Sequence, residues 1–221
     1  DKPGPKVAFL AEYDALPEVG HGCGHNLIGA ASAGAAVVLS KSKEVVGELF
    51  VIGTPAEETS GAKVTLVQAG VFDGLDAAMM FHPGSQNVAE ITSLALDALE
   101  FTFIGRAAHA AAASSYGINA LDALIEFFSR VNAYKKKLSP HERINGIIVE
   151  GGVAPNIIPE RAVARFYLRA QRLKDLNHLT EKVIKLARTV AERYAARVEW
   201  RYFEYSYDEM VTNRALAEAF A

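Results

Sequence analysis

Three short apolar runs, each closing on residues that bind metals or move protons, constrain this chain more than any other feature. Val7 to Leu10 lies behind a Pro/Gly turn and runs into Glu12-Tyr13-Asp14. Leu49 to Gly53 ends in Thr54-Pro55-Ala56-Glu57-Glu58, and Ala77 to Phe81 ends in His82-Pro83. Runs this short and this apolar are expected of strands buried on both faces of a sheet. Helical stretches lie between them: Leu27 to Ser40, which Asn26 is placed to cap, and Ala62 to Ala69, which stops at Gly70. The alternation predicts a mostly parallel sheet with right-handed crossovers. In such sheets ligands bind beyond the carboxyl ends of the strands. Asp14, Glu57, Glu58 and His82 all fall there.

One loop adds sulfur and nitrogen to those carboxylates. His21-Gly22-Cys23-Gly24-His25-Asn26 holds the only cysteine and two of the six histidines. In an extended segment alternate side chains share a face, so Cys23 and His25 can converge on one point. Thiolate and imidazole together suit a borderline metal such as zinc. A buried cysteine beside two surface histidines would leave the same residues. Ligand-type residues after three successive strands favour the metal.

Composition excludes several classes. Half of the 221 residues are apolar, 22% are charged and the formal net charge is −3, as in an ordinary globular protein. No basic run points to nucleic acid. The most apolar windows, such as Ile28 to Leu39, are too short to span a bilayer, and no signal peptide is visible. A single cysteine cannot form an internal disulfide, which fits a reducing compartment; a cytoplasmic location is the expectation. The opening Asp1-Lys2-Pro3-Gly4-Pro5 runs straight into a strand without an initiator methionine, and a fragment is expected.

From about Ser93 the pattern changes. Ser93 to Gly105 reads as one long strand, with Leu94, Leu96 and Ala98 on one side, and Gly117 to Tyr134 as an amphipathic helix. Ile144 to Glu150 and Arg161 to Gln171 read as strands, Leu176 to Arg193 as a second amphipathic helix and Arg197 to Tyr205 as a last strand. The order β-α-β-β-α-β is the ferredoxin-like unit. The expected architecture is α/β: a mostly parallel-sheet metal-binding domain, residues 1–93 with 206–221 returning to it, and an inserted ferredoxin-like α+β lid, residues 94–205.

The residues allow a specific chemistry. Two divalent ions need terminal ligands, a bridging group and a base beside the bridging water. Cys23, His25, Glu58 and His82 supply ligand atoms. In the pair Glu57-Glu58 one carboxylate can bind metal while its neighbour stays free to take a proton from water and return it to a leaving amine. Asp14 could orient a ligand from behind, or simply start the turn before Leu16-Pro17. His109 sits among small residues that let another molecule approach its ring, although a lone histidine is more often structural. His21, His141 and His178 read as solvated.

Taken together, these residues carry a resemblance. Ala11-Glu-Tyr-Asp-Ala-Leu-Pro17, His21-Gly-Cys-Gly-His-Asn26, Thr54-Pro-Ala-Glu-Glu58 and His82-Pro83 occur in order. They are followed by Gly105-x-x-x-His109-Ala-Ala, Gly117-x-Asn119-Ala120 and Asn156-Ile-Ile-Pro159 with Arg169 beyond. The sequence resembles the family-twenty metallopeptidases, which include aminoacylases, glutamate carboxypeptidases, hippurate hydrolases and aminobenzoyl-glutamate hydrolases. Its Glu-Tyr-Asp and Cys-Gly-His-Asn variants are most similar to the branch with the aminobenzoyl-glutamate hydrolases and certain dipeptidases. The resemblance implies a hydrolase of small amides or dipeptides that carries two divalent ions, zinc or manganese, with cobalt or nickel also accommodated. It implies Cys23, His25, Glu58 and His82 as metal ligands, Glu57 as general base and Asp14 behind the ligands. By the same resemblance His109 would polarise the scissile carbonyl, reaching into the partner subunit's site of a homodimer made by the lid. Asn156 and Arg169 would hold the substrate.

Two departures stand out. The family supplies a further histidine ligand near its C-terminus, in a segment that would follow Ala221. It also often has proline where this chain has Ala112 to Ser115. The rival reading is a non-catalytic relative that still dimerises through an exposed edge strand; a hydrolase with a single zinc would leave one ligand idle.

Overall fold

The computed structural model describes residues 3–111 and 114–220, so Asp1, Lys2, Ala112, Ala113 and Ala221 lie outside the described residues. In chain order the elements are β1 (Lys6–Glu12), α1 (His25–Ser40), β2 (Glu48–Thr54), α2 (Ala62–Gln68), β3 (Ala77–Met79), β4 (Ala95–Ile104) and β5 (Ala108–His109). There follow α3 (Ala120–Lys135), β6 (Arg143–Glu150), β7 (Ile157–Ile158), β8 (Arg161–Ala170), α4 (Leu173–Arg193), β9 (Arg197–Tyr202) and α5 (Arg214–Phe220). They form two compact units, Asp1–Val88 and Ala89–Ala221, against the boundary near residue 93 read from the sequence. Tyr207 bridges to Leu96, and the Thr212 hydroxyl donates to the Ile91 carbonyl. The stretch after β9, read from the sequence as returning to the first domain, therefore makes these contacts within the second unit.

The first unit is a parallel sheet of order β2-β1-β3. Its register decides where the chemistry falls. Lys6 pairs with Glu48 and Glu12 with Thr54, so β1 and β2 end level with each other. Phe9 pairs with Met79, which brings β3 to the same edge shortly before His82. Small residues let α1 lie close over β1: the buried Ser32 donates to the Leu10 carbonyl at 2.7 Å, and a Cβ on Gly29 would meet the Glu12 carbonyl at 3.0 Å.

The second unit is a four-stranded antiparallel sheet of order β6-β8-β4-β9, the strand order of the ferredoxin-like unit. The sequence reading placed Leu94, Leu96 and Ala98 on one side of the long strand. In the structure the opposite face, with Ala95, Leu99, Phe101 and Phe103, joins the helices in the core, and β4 is central and largely buried on both sides. A central strand has no solvent face to mark with polar residues, hence the weak alternation. α3 begins at Ala120 because the Asn119 side chain accepts from the Leu121 and Asp122 backbone N–H groups. The aromatic centre is Phe127, whose ring contacts Phe101, Phe103 and Phe166. Phe127→Ala should lower the unfolding free energy by about 3–5 kcal/mol, read as a shifted urea midpoint. Among the described residues no helix is long and apolar enough to cross a membrane.

Candidate metal centre

Everything at this site hangs from the carboxyl edge of the first sheet. After β1 the chain turns through Asp14 and returns in the Cys23 loop. The sequence reading expected Asn26 to cap a helix starting at Leu27. Instead α1 starts at His25, and its N-cap is Gly24, with no side-chain cap. Gly24 holds φ +83, a left-handed conformation that side chains disfavour, and a Cβ there would lie 2.7 Å from the Pro83 ring. The glycine thus lets the Cys23 loop meet the His82-Pro83 turn. After β2, Ala56 also adopts a left-handed conformation (φ 58) and accepts from the backbone N–H groups of Ser60 and Gly61, turning Glu57 and Glu58 at the same edge. Such a residue costs on the order of 1 kcal/mol and persists only where surroundings impose it.

His25 is the centre of the cluster and is fully buried. Its Nδ1 lies 3.1 Å from Asp14 Oδ1, and because a carboxylate only accepts, the ring donates. Asp14 Oδ2 accepts from the Glu58 backbone N–H at 3.0 Å, so one carboxylate ties the His25 ring to the Glu57-Glu58 turn. Burial disfavours the Asp14 carboxylate, but backbone N–H groups from Glu58, Glu57 and its own residue, with His25, outweigh it and hold its pKa below the usual value. This is the arrangement that fixes a ligand histidine's tautomer and leaves Nε2 for a metal.

His25 Nε2 faces Glu57 Oε2 and Glu58 Oε1, each at 3.8 Å, and Glu12 Oε2 at 3.3 Å. On the other side Cys23 Sγ and His82 Nε2 lie 3.7 Å apart, and His82 Nδ1 donates to the Pro83 carbonyl at 2.9 Å. Two sets result, Cys23/His25/His82 and His25/Glu57/Glu58, with ligand atoms in each within 4.8 Å of one another. The sets share His25.

The residues fit divalent ions. Among the described residues, His25 Nε2, Glu58 Oε1 and Glu12 Oε2 are buried with no hydrogen-bond partner, a costly condition unless a cation satisfies them. Imidazole and carboxylate atoms on one tetrahedral zinc lie roughly 3.3–3.4 Å apart, and thiolate and imidazole roughly 3.6 Å. The observed 3.3 and 3.7 Å match. Burial, then the Glu58, Glu57 and Glu12 charges, push the Cys23 thiol up. Burial and Glu12 likewise push Glu57 up. Surroundings that repel a thiolate's negative charge attract a divalent cation, which in turn deprotonates the thiol.

Glu12 and its partner Lys63 were absent from the sequence-based site. Glu12 is the last residue of β1, only 2% exposed, and its Oε1 is paired with the Lys63 ammonium on α2. A carboxylate ending an apolar strand was the available signal. The lysine, 51 residues away, gave none.

In the second unit β5 and β7 pair His109 with Ile157, and the Ala110 N–H donates to the Asn156 carbonyl. His109 and Asn156 are thus neighbours and both are exposed. Gly117 permits this packing, since a Cβ there would lie 2.4 Å from the Ile158 side chain. Arg169 is elsewhere: β8 starts at Arg161, opposite Ile104, and Arg169 lies opposite Leu96. About 27 Å of strand separates it from the His109 end. His21, His141 and His178 are exposed, as read from the sequence.

Comparison with known proteins agrees with this geometry. Residues 95–195 match the M20 peptidase dimerisation domain. The Xaa-Arg dipeptidase of Mus musculus is 38% identical over 220 residues, covering 97% of this chain and 51% of that protein. The chain belongs to the M20 peptidase family. A further M20-type relative, a p-aminobenzoyl-glutamate hydrolase polypeptide of Escherichia coli, is 32% identical over 97% of this chain and 49% of its own length. The chain therefore spans about half the length of these relatives. The fold is shared with a dinuclear metal-binding M20 peptidase of Bacillus subtilis, at TM-score 0.67, 23% identity, and coverage of 94% of this chain and 60% of that one.

Proposed function

We propose that the protein hydrolyses an amide bond in a dipeptide or N-acyl amino acid, using two divalent ions held by Cys23, His25, Glu58 and His82. The carrying observation is the pair of ligand sets sharing a buried His25, whose Nε2 has no hydrogen-bond partner. Zinc or manganese suits the donors, with cobalt or nickel tolerated. Bound there, the ions would acidify a water and polarise the scissile carbonyl.

The chain's own residues do the rest. Asp14 fixes the His25 ring and the Glu58 backbone. Glu57, half-exposed and beside the ligands, takes the proton from water and delivers it to the leaving amine. His109 accepts at Nδ1 from the Ala111 N–H at 3.3 Å, so a neutral ring carries its proton on Nε2 and can donate to a carbonyl oxygen. Asn156 beside it, and Arg169, hold the substrate. A small amide cannot touch both His109 and Arg169 of one protomer across about 27 Å. If both touch substrate they serve different sites, which a homodimer through the lid provides. The matched dimerisation domain supports that assembly.

The test is metal content and a hydrolysis screen on the same preparation of the whole protein. Dipeptides, including those ending in arginine, come first because the dipeptidase relative shares more identity than the aminobenzoyl-glutamate hydrolase. The expected result is about two metal equivalents, with turnover that a chelator removes and added metal restores. Metal-free, inactive protein that cannot be reloaded would overturn the proposal and leave a dimerising, non-catalytic relative.

A further inference from the structure

The mechanism leaves one buried carboxylate unused. Glu12 is 2% exposed at the end of β1, with Oε1 on Lys63 and Oε2 facing His25 Nε2 at 3.3 Å. Neither facing atom has a hydrogen-bond partner among the described residues. With the Nδ1 proton given to Asp14, a neutral His25 ring presents a lone pair at Nε2, and a carboxylate oxygen can only accept. Two buried acceptors in van der Waals contact repel each other unless a cation lies against both. Their separation is that of two ligands on one ion.

We infer that Glu12 is a further ligand of the ion His25 faces, and that Lys63 positions its carboxylate and offsets its charge. This rests on the metal-hydrolase reading above. Charge supports it. Asp14, Glu12, Glu57 and Glu58, with a Cys23 thiolate, stand against Lys63 alone, and the excess equals the charge of two divalent ions. Lys63 takes one Glu12 oxygen and leaves the other directed at the cluster. Without an ion the lysine is what makes a carboxylate this buried tolerable.

The experiment strips the whole protein of metal and titrates it with Co²⁺ alone, recording affinity, the visible cobalt spectrum and thermal unfolding with and without the ion. Glu12→Gln should weaken cobalt binding by roughly 10–100-fold and change the ligand-field bands, while the Cys23 charge-transfer band persists. Lys63→Met should act in the opposite sense: the apo protein melts lower, but cobalt raises its melting temperature more than in the wild type. A purely structural ion pair would destabilise both apo variants and leave cobalt affinity, spectrum and the cobalt-induced rise unchanged. That result overturns the inference. Should Glu12→Gln not fold, the cobalt-induced rise in Lys63→Met decides alone. Wild-type protein that binds no cobalt would sink the hydrolase reading and this inference together. Wild-type binding with an indifferent Glu12→Gln sinks only the inference.

Discussion

Glu57→Gln should reduce kcat by roughly 10²–10⁴-fold and leave the metal content at its wild-type level. Distance does not distinguish Glu57 from Glu58, since each presents an oxygen 3.8 Å from His25 Nε2. Exposure does: the Glu58 side chain is 14% exposed and that of Glu57 is 46%. Glu58 also has a buried, unpartnered oxygen, the condition a metal relieves. The carboxylate with the solvent face is the one that can meet water and a departing amine. Its pKa, raised by burial and by the neighbouring Glu12 charge, makes it a better base than a free glutamate once deprotonated. Glutamine keeps the shape and removes the proton acceptor. Glu58→Gln in parallel should lose metal together with activity. Metal lost from Glu57→Gln but kept in Glu58→Gln would exchange the two roles. Unchanged turnover in Glu57→Gln would remove general-base catalysis from this residue.

What could be read from the sequence followed from local pattern. Short apolar runs ending in ligand-type residues identified the parallel sheet and its reactive edge, because strand burial and the position of the carboxyl end are both written in contiguous residues. The helix start at His25 was not legible. Gly24 acts through a left-handed backbone and a close approach to Pro83, whereas Asn26 advertises a capping side chain that the fold does not use. β5 and β7 escaped notice because two-residue strands carry no periodicity. The Glu12–Lys63 pair depends on α2 packing over the end of β1, a tertiary fact with no local signature. Arg169 falls in a clean strand pattern, but only the register with Leu96 reveals how far it stands from His109.

That separation makes the last expected result a strong one. His109→Ala and Glu57→Gln proteins should each be nearly inactive, yet mixing them under conditions that exchange subunits should restore about a quarter of wild-type activity. In a mixed dimer one metal centre keeps Glu57 on the His109→Ala chain. If lid histidines act across the dimer, that centre receives the intact His109 of its partner and works, while the other centre lacks both groups. Random exchange makes half the dimers mixed, each with one working site. If His109 served its own chain, every centre in the mixed dimer would carry one defect and no activity would return. Replacing His109→Ala by Arg169→Ala in the mixture separates the two ends of the lid. Where His109 acts across the dimer and Arg169 within its own chain, Arg169→Ala mixed with Glu57→Gln restores nothing. Recovery in both mixtures would mean that both ends reach the partner, contrary to the roughly 27 Å between them on one sheet. The readout is the pattern of recovery, which a folding defect in any single variant cannot imitate.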